Sequence, residues 1–209
     1  WMQYDVQFKR FSHNLGRDNS ENAERNLNSF SFYREFCKRQ IFLQKNKPIL
    51  SKANPFVFRL DSLMKTFPDA KIVFIVRDPL ETIPSYFSMQ EKMKYGNMMT
   101  KQELKFYREE TYKEIIDWYK ETEVAQDKLE SKNFVVFTYQ DLTENLEKTI
   151  KQFFTFSNQK MTKEFKKILK KTISKKYVKK HQNKTVSDFG LSDKKIRRDF
   201  DFVYDKYFN

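Results

Sequence analysis

The segment FPDAKIVFIVRDPLETIPSYFSM, residues 67–89, decides how this chain is read. After its opening lysine, the run Lys71–Val76 (KIVFIV) is apolar and largely β-branched. A continuous apolar run, rather than an alternating one, is the pattern of a strand buried on both faces. Arg77-Asp78-Pro79 ends it. Proline suits the first turn of a helix, where its missing N–H has no intrahelical partner to lose, so a helix is expected from Pro79. Open α/β sheets gather ligands at the carboxyl ends of their strands. An arginine placed there offers a planar fork of donors that matches a phosphate. The helix start adds backbone N–H groups and its dipole. Ser85, eight residues after Arg77, adds a hydroxyl two turns along. The plainer alternative is an Arg77 paired with Asp78 and a Ser85 that only packs.

Working outward, Lys47–Lys52 (KPILSK) is a short apolar run closed by Asn54-Pro55, and it reads as a buried strand followed by a turn. Phe56, Leu60, Leu63, Met64 and Phe67 then fall at helical spacing, with Pro68-Asp69 as the stop. Strand, helix and strand in this order form a βαβ unit, whose parallel strands imply an α/β sheet. Phe134–Tyr139 (FVVFTY) supplies a further buried strand. Helices are expected over 19–42, with Asp18 and Glu21 as a capping box, over 101–130, 144–156 and 161–177, and over 192–208 with Ser192 as cap. Ser187–Gly190 reads as a loop, and Trp118 as a core residue.

Composition narrows the function classes. The chain has 209 residues, enough for one domain with a real core. Three glycines (Gly16, Gly96, Gly190) lie too far apart for a G-x-G-x-x-G loop, and no G-x-x-x-x-G-K-[ST] occurs. Two histidines and one cysteine supply neither a usual zinc ligand set nor a disulfide framework. Cys37 has no histidine close in sequence and is not read as a catalytic thiol. No apolar run approaches a membrane span, and with a lone thiol a cytoplasmic location is expected. Lysine and arginine exceed acids by 41 to 28, a formal charge of +13, and eleven lysines fall between Lys160 and Lys184 against a single acid, Glu164. Such charge attracts polyanions. A nucleic-acid-binding module would rest on charge alone, since no RNA-recognition sequence is present, and no nucleic acid is expected as partner. A solvated basic helix face is the better reading of the lysine run.

With these residues in view, the chain resembles the sulfotransferases that use 3′-phosphoadenosine 5′-phosphosulfate (PAPS), in their bacterial and protein-tyrosine-like branch. The family's second nucleotide motif is a strand ending in Arg with a Ser eight residues on, and Arg77 and Ser85 match it, including the preceding FPDAK. Leu50–Phe56 (LSKANPF) is similar to the lysine-bearing strand end that precedes this motif. Val135–Phe154 (VVFTYQDLTENLEKTIKQFF) is similar to the family's Y-x-D-L strand and helix, and His181–Gly190 followed by LSDKKI to its C-terminal H…DFGLS segment. The resemblance implies a P-loop-like, three-layer α/β/α fold with a parallel sheet, its strands near 48–52, 71–76 and 134–138. It implies that Arg77 and Ser85 hold the 3′-phosphate and that Tyr139 sits near the adenine. His181, within KKHQNK, is a candidate for the nucleotide or substrate mouth, against the plainer reading of an exposed loop histidine. Lys52 would face the transferred sulfuryl group.

The resemblance also implies an activity, transfer of a sulfuryl group from PAPS to an acceptor hydroxyl or amine, leaving 3′-phosphoadenosine 5′-phosphate. The family's first nucleotide motif, a Ser/Thr-rich P-loop after the first strand, is expected upstream of Trp1. Residues 1–209 are accordingly expected to be one sulfotransferase-like domain whose site is completed by such a segment or by a partner chain. Asn54 stands two residues after Lys52, where the cytosolic enzymes carry a basic His, and an amide cannot take a proton from a hydroxyl at neutral pH. In the protein-tyrosine branch the base is a Glu shortly after the P-loop. The competing expectation is a non-catalytic sulfotransferase-like protein, a structural subunit of a larger assembly.

Overall fold

The computed structural model describes residues 17–45, 47–92, 99–175 and 184–209. These fall into two compact units, one from the described part of 1–70 with 127–129, the other from 71–126 and 130–209.

In the first unit, helix α1 (Ala23–Leu43) precedes a 3₁₀ turn (Asn54–Arg59) that runs into helix α2 (Leu60–Thr66). Aromatic edges hold these pieces together. Phe56 meets Phe30 and Tyr33 at 5.3 and 5.7 Å between ring centroids, and Tyr33 meets Phe67 at 5.9 Å. Asp18 does not build the expected capping box with Glu21. Asn22 is the residue at the helix N-cap. The Asp18 carboxylate instead accepts from Asn26 Nδ2 at 2.9 Å, from the Ser62 backbone N–H at 2.9 Å and from the Ser62 hydroxyl at 2.5 Å. A carboxylate that can satisfy three donors from two helices gains more there than from one local cap.

The stretch 47–53 departs from expectation. It forms no strand, and Leu50 is 87 % exposed. An apolar run becomes a strand only where a neighbouring strand takes its backbone hydrogen bonds. Among the described residues no strand lies beside this one.

The second unit is built on strands β1 (Ile72–Val76) and β2 (Phe134–Thr138), which pair in parallel with Ile72 opposite Phe134 and Val76 opposite Thr138. Between them run helix α3 (Pro79–Lys92), with Pro79 in its first turn as expected, and the long helix α4 (Lys101–Lys128). After β2 come α5 (Tyr139–Glu144), α6 (Leu146–Phe156), α7 (Lys163–Ile173), a 3₁₀ turn (Val186–Phe189) in place of the expected loop, α8 (Asp193–Asp199) and α9 (Asp201–Tyr207). Ser192 caps α8 as expected, its hydroxyl accepting from the Lys195 N–H. The single closing helix expected over 192–208 is broken at Phe200, whose φ of −123° lies outside the helical range. The break places the Phe200 ring 6.0 Å from Tyr112 and 5.3 Å from Tyr119.

Val76, Ile83, Phe87, Tyr112, Ile115, Val186, Ile196, Phe200 and Val203 are buried together. The other face of β1 is less covered than a doubly buried strand requires: Ile75 is 56 % exposed, and among the described residues no third strand borders β1. Trp118 is only half-buried, its ring edge-on to Tyr86 at 5.8 Å.

Two tyrosines tie down the joint between β1 and α3. The Tyr119 hydroxyl donates to the Arg77 carbonyl at 2.6 Å and lies 3.0 Å from the Thr82 hydroxyl. The Tyr204 hydroxyl donates to Asp78 Oδ1 at 2.6 Å. Burial, opposed by the Thr82 contact, pushes the Tyr119 phenol up to about 12. Burial and then the Asp78 carboxylate raise Tyr204 as well.

Phe200→Ala should destabilise by about 3–5 kcal/mol, because it empties a site with no exposed surface. Phe42→Ala, at a ring 82 % exposed, should change stability by less than about 0.5 kcal/mol; urea unfolding followed by circular dichroism measures both. The tyrosines set an alkaline limit. Above pH 10 an unfolded tyrosine ionises, while native Tyr119 keeps its proton to about pH 12. The native state then binds more protons, so stability falls as pH rises through that window, by up to about 1.4 kcal/mol per unit for each such group. Tyr119→Phe should flatten this slope by one proton's worth while costing about 0.5–1.5 kcal/mol at neutral pH for the lost hydrogen bond.

Candidate functional site

A parallel, in-register pair brings the residues that follow its two strands side by side. Val76 lies opposite Thr138, so Arg77 and Tyr139 leave the sheet next to each other. The Arg77 guanidinium carbon stands 4.7 Å from the centroid of the Tyr139 ring, within the range of a cation–π contact. Tyr139 is oriented by its own helix start. Thr138 caps α5 through a reciprocal box in which its hydroxyl accepts from the Asp141 N–H and the Asp141 carboxylate accepts from the Thr138 N–H. Two residues nominated from sequences 62 positions apart are thus brought together.

Arg77 is not paired with Asp78. Its Nε donates to Glu81 Oε2 at 3.0 Å, one helical turn along, and its Nη2 stands 3.0 Å from the same oxygen in the ion pair. These two nitrogens form the side-on edge of the guanidinium. Among the described residues its Nη1 has no hydrogen-bond or ion-pair partner. Asp78 is occupied elsewhere, its carboxylate accepting from the Leu80 N–H at 2.8 Å and from Tyr204, and its carbonyl from the N–H groups of Glu81 and Thr82 at 2.9 Å. The backbone donors expected to greet an anion at the start of α3 are therefore already used by Asp78. What the strand end offers an anion is side-chain chemistry.

Ser85 is half-buried, and among the described residues its hydroxyl has no hydrogen-bond partner. Glu81 and Ser85 are four residues apart on α3, so they share a helix face. Lys52 belongs to the first unit, where it is exposed on the irregular stretch 47–53, and Asn54 opens the 3₁₀ turn that follows. His181 lies outside the described residues. Reading the sequence missed Glu81, Tyr119 and Tyr204. Glu81 carried a local signal, an acid one turn after an arginine at a helix start. Tyr119 and Tyr204 carried none, since their partners lie 42 and 126 residues away in the chain.

Among the described residues no helix is long and apolar enough to cross a membrane. Residues 2–163 match the model of the sulfotransferase family. The chain is 21 % identical over 116 residues to the omega-hydroxy-beta-dihydromenaquinone-9 sulfotransferases Stf3 of Mycobacterium bovis and Mycobacterium tuberculosis. Those matches take in 56 % of this chain and only 30 % of the relatives' length. Among solved structures, sulfotransferase STF1 from Mycobacterium tuberculosis H37Rv superposes with a TM-score of 0.54 at 18 % identity, over 69 % of this chain and 37 % of that one. The likeness supports the P-loop-like α/β fold that the resemblance implies. With a family match over most of its length and this fold, the chain belongs to the sulfotransferase family.

Proposed function

We propose that this chain carries the nucleotide-holding part of a sulfotransferase that takes its sulfuryl group from PAPS and passes it to an acceptor hydroxyl or amine. The observation that supports this best is the pairing of Arg77 with Tyr139 at the carboxyl ends of two parallel strands, a cation beside an aromatic face. A guanidinium end suits a phosphate, because two parallel N–H groups match two phosphate oxygens. A flat ring beside it suits a purine. The donor set fits the 3′-phosphorylated adenosine half of PAPS.

In this reading Arg77 and Ser85 hold the 3′-phosphate and Tyr139 lies against the adenine. When bound, PAPS supplies an activated sulfuryl group on a phosphate leaving group. Lys52 stabilises the negative charge that develops on the bridging and sulfuryl oxygens. A fixed ammonium accelerates transfer only as far as it binds that charge more strongly in the transition state than in the ground state. His181 is assigned to the mouth of the nucleotide or substrate site. The curated relatives are named for an acceptor with an omega-hydroxyl, and we take hydroxyl acceptors as the first class to assay.

Calorimetry tests the nucleotide assignment. The protein should bind 3′-phosphoadenosine 5′-phosphate more tightly than adenosine 5′-phosphate. Arg77→Ala should remove about 1.5–3 kcal/mol of that preference and Ser85→Ala about 0.5–1.5 kcal/mol. Arg77→Lys should restore it only in part, since an ammonium lacks the planar fork. Equal affinity for the two nucleotides would overturn the assignment. For Lys52, the expected signature of Lys52→Ala is a turnover number lowered by about 10²–10³ with nucleotide affinity little changed. A change confined to affinity would make Lys52 a binding residue instead.

A further inference from the structure

Glu81 occupies a position that the nucleotide reading leaves unexplained. Its Oε2 accepts from the Nε of Arg77 at 3.0 Å and stands 3.0 Å from its Nη2 in the ion pair. Ser85 stands one turn farther along the same face of α3. The carboxylate is therefore set, along the chain and on the helix face, between the two side chains assigned to the 3′-phosphate. Its side chain is 42 % exposed, against 27 % for Arg77. A phosphate engaging both Arg77 and Ser85 has to share the guanidinium with this carboxylate. Two anions so placed repel each other, and at a half-buried surface they do so more strongly than in bulk water.

We propose that Glu81 sets the affinity and specificity of the nucleotide site by competing with the 3′-phosphate for Arg77. Without nucleotide, the ion pair holds the guanidinium by its side-on edge, beside the Tyr139 ring. With nucleotide, the carboxylate weakens the hold on the 3′-phosphate, which lets the bisphosphate product leave. Because the cation is already half-balanced, discrimination depends on the directed Nη contacts rather than on net positive charge. A weak, tunable grip on a product suits an enzyme in which product release limits turnover. This inference rests on the assignment of Arg77 to the 3′-phosphate.

The test is Glu81→Gln in the full chain, titrated with 3′-phosphoadenosine 5′-phosphate and with adenosine 5′-phosphate. Glutamine keeps the side-chain length and an acceptor oxygen for Arg77 but removes the charge. The side chain is not in the core, and circular dichroism checks that α3 is intact. The expected result is binding of the bisphosphate about tenfold tighter at low salt, a change of less than about twofold for the monophosphate, and a gain that shrinks as salt rises. The gain should vanish in an Arg77→Ala background, because the competition acts through that guanidinium. If the wild-type protein prefers the bisphosphate and Glu81→Gln leaves that binding unchanged or weaker, Glu81 is no competitor and only this inference fails. An equal gain for both nucleotides would also overturn it, since the effect would then not concern the 3′-phosphate. A wild-type protein without any preference removes the assignment of Arg77, and this inference with it.

Discussion

The carboxylate of Asp78 is the point on which the second unit depends. Where a strand hands over to a helix, backbone groups lose their ladder partners before the helical ones are available. Asp78 resolves this from one position. Its side chain accepts from the Leu80 N–H, its carbonyl from Glu81 and Thr82, and its carboxylate also takes the Tyr204 hydroxyl. Tyr119 attends to the carbonyl of the residue before it. The joint is thus held by helices α4 and α9, which reach it from far along the chain. The same helices bring Ile115 and Val203 into the core beneath, where Ile83 of α3 is fully buried. Hydrogen bonding and apolar packing reinforce one another here, because the tyrosines carry both an apolar body and a polar tip.

A second consequence of this joint is chemical. With the first donors of α3 consumed by Asp78, and with Nε of Arg77 consumed by Glu81, the strand end has a narrow and directional offering. Site and scaffold use separate groups. Asp78 works for the fold, while among the described residues Nη1 of Arg77 and the Ser85 hydroxyl have no hydrogen-bond partner. The parallel register sets this arrangement, since a slip of one residue would turn the side chains of a strand to the opposite face.

Part of the chain's large positive charge lies on a solvent-facing helix. The described lysines of α7 (Lys163, Lys166, Lys167, Lys170 and Lys171) are exposed. The helix is anchored through Phe165, tilted against Phe154 at 5.1 Å, and through buried Leu169. That is the solvated basic face expected from the spacing, in which lysines line the side away from the packing stripe.

What the sequence determined by itself were the features whose causes are local. KIVFIV is a strand because its β-branched run suits nothing else at that length, Pro79 starts a helix, Ser192 caps one, and the Arg77–Ser85 spacing with the Y-x-D-L segment led to the family and to the P-loop-like fold. The first three depend on a period, a cap or a fixed φ that a few neighbouring residues impose, and the last on resemblance to a known family. Tertiary structure alone decided the rest. KPILSK has the composition of a strand yet forms none and stays exposed, because strand formation needs a partner that its own residues cannot provide. Asp18 left its local cap for donors on two helices, and the closing helix broke so that Phe200 could enter the core. Glu81 rather than Asp78 pairs with Arg77, while Asp78 accepts from Tyr204, 126 residues away. A side chain with several partners in reach is assigned by the free energy of the whole packed unit, and a linear pattern does not contain that competition.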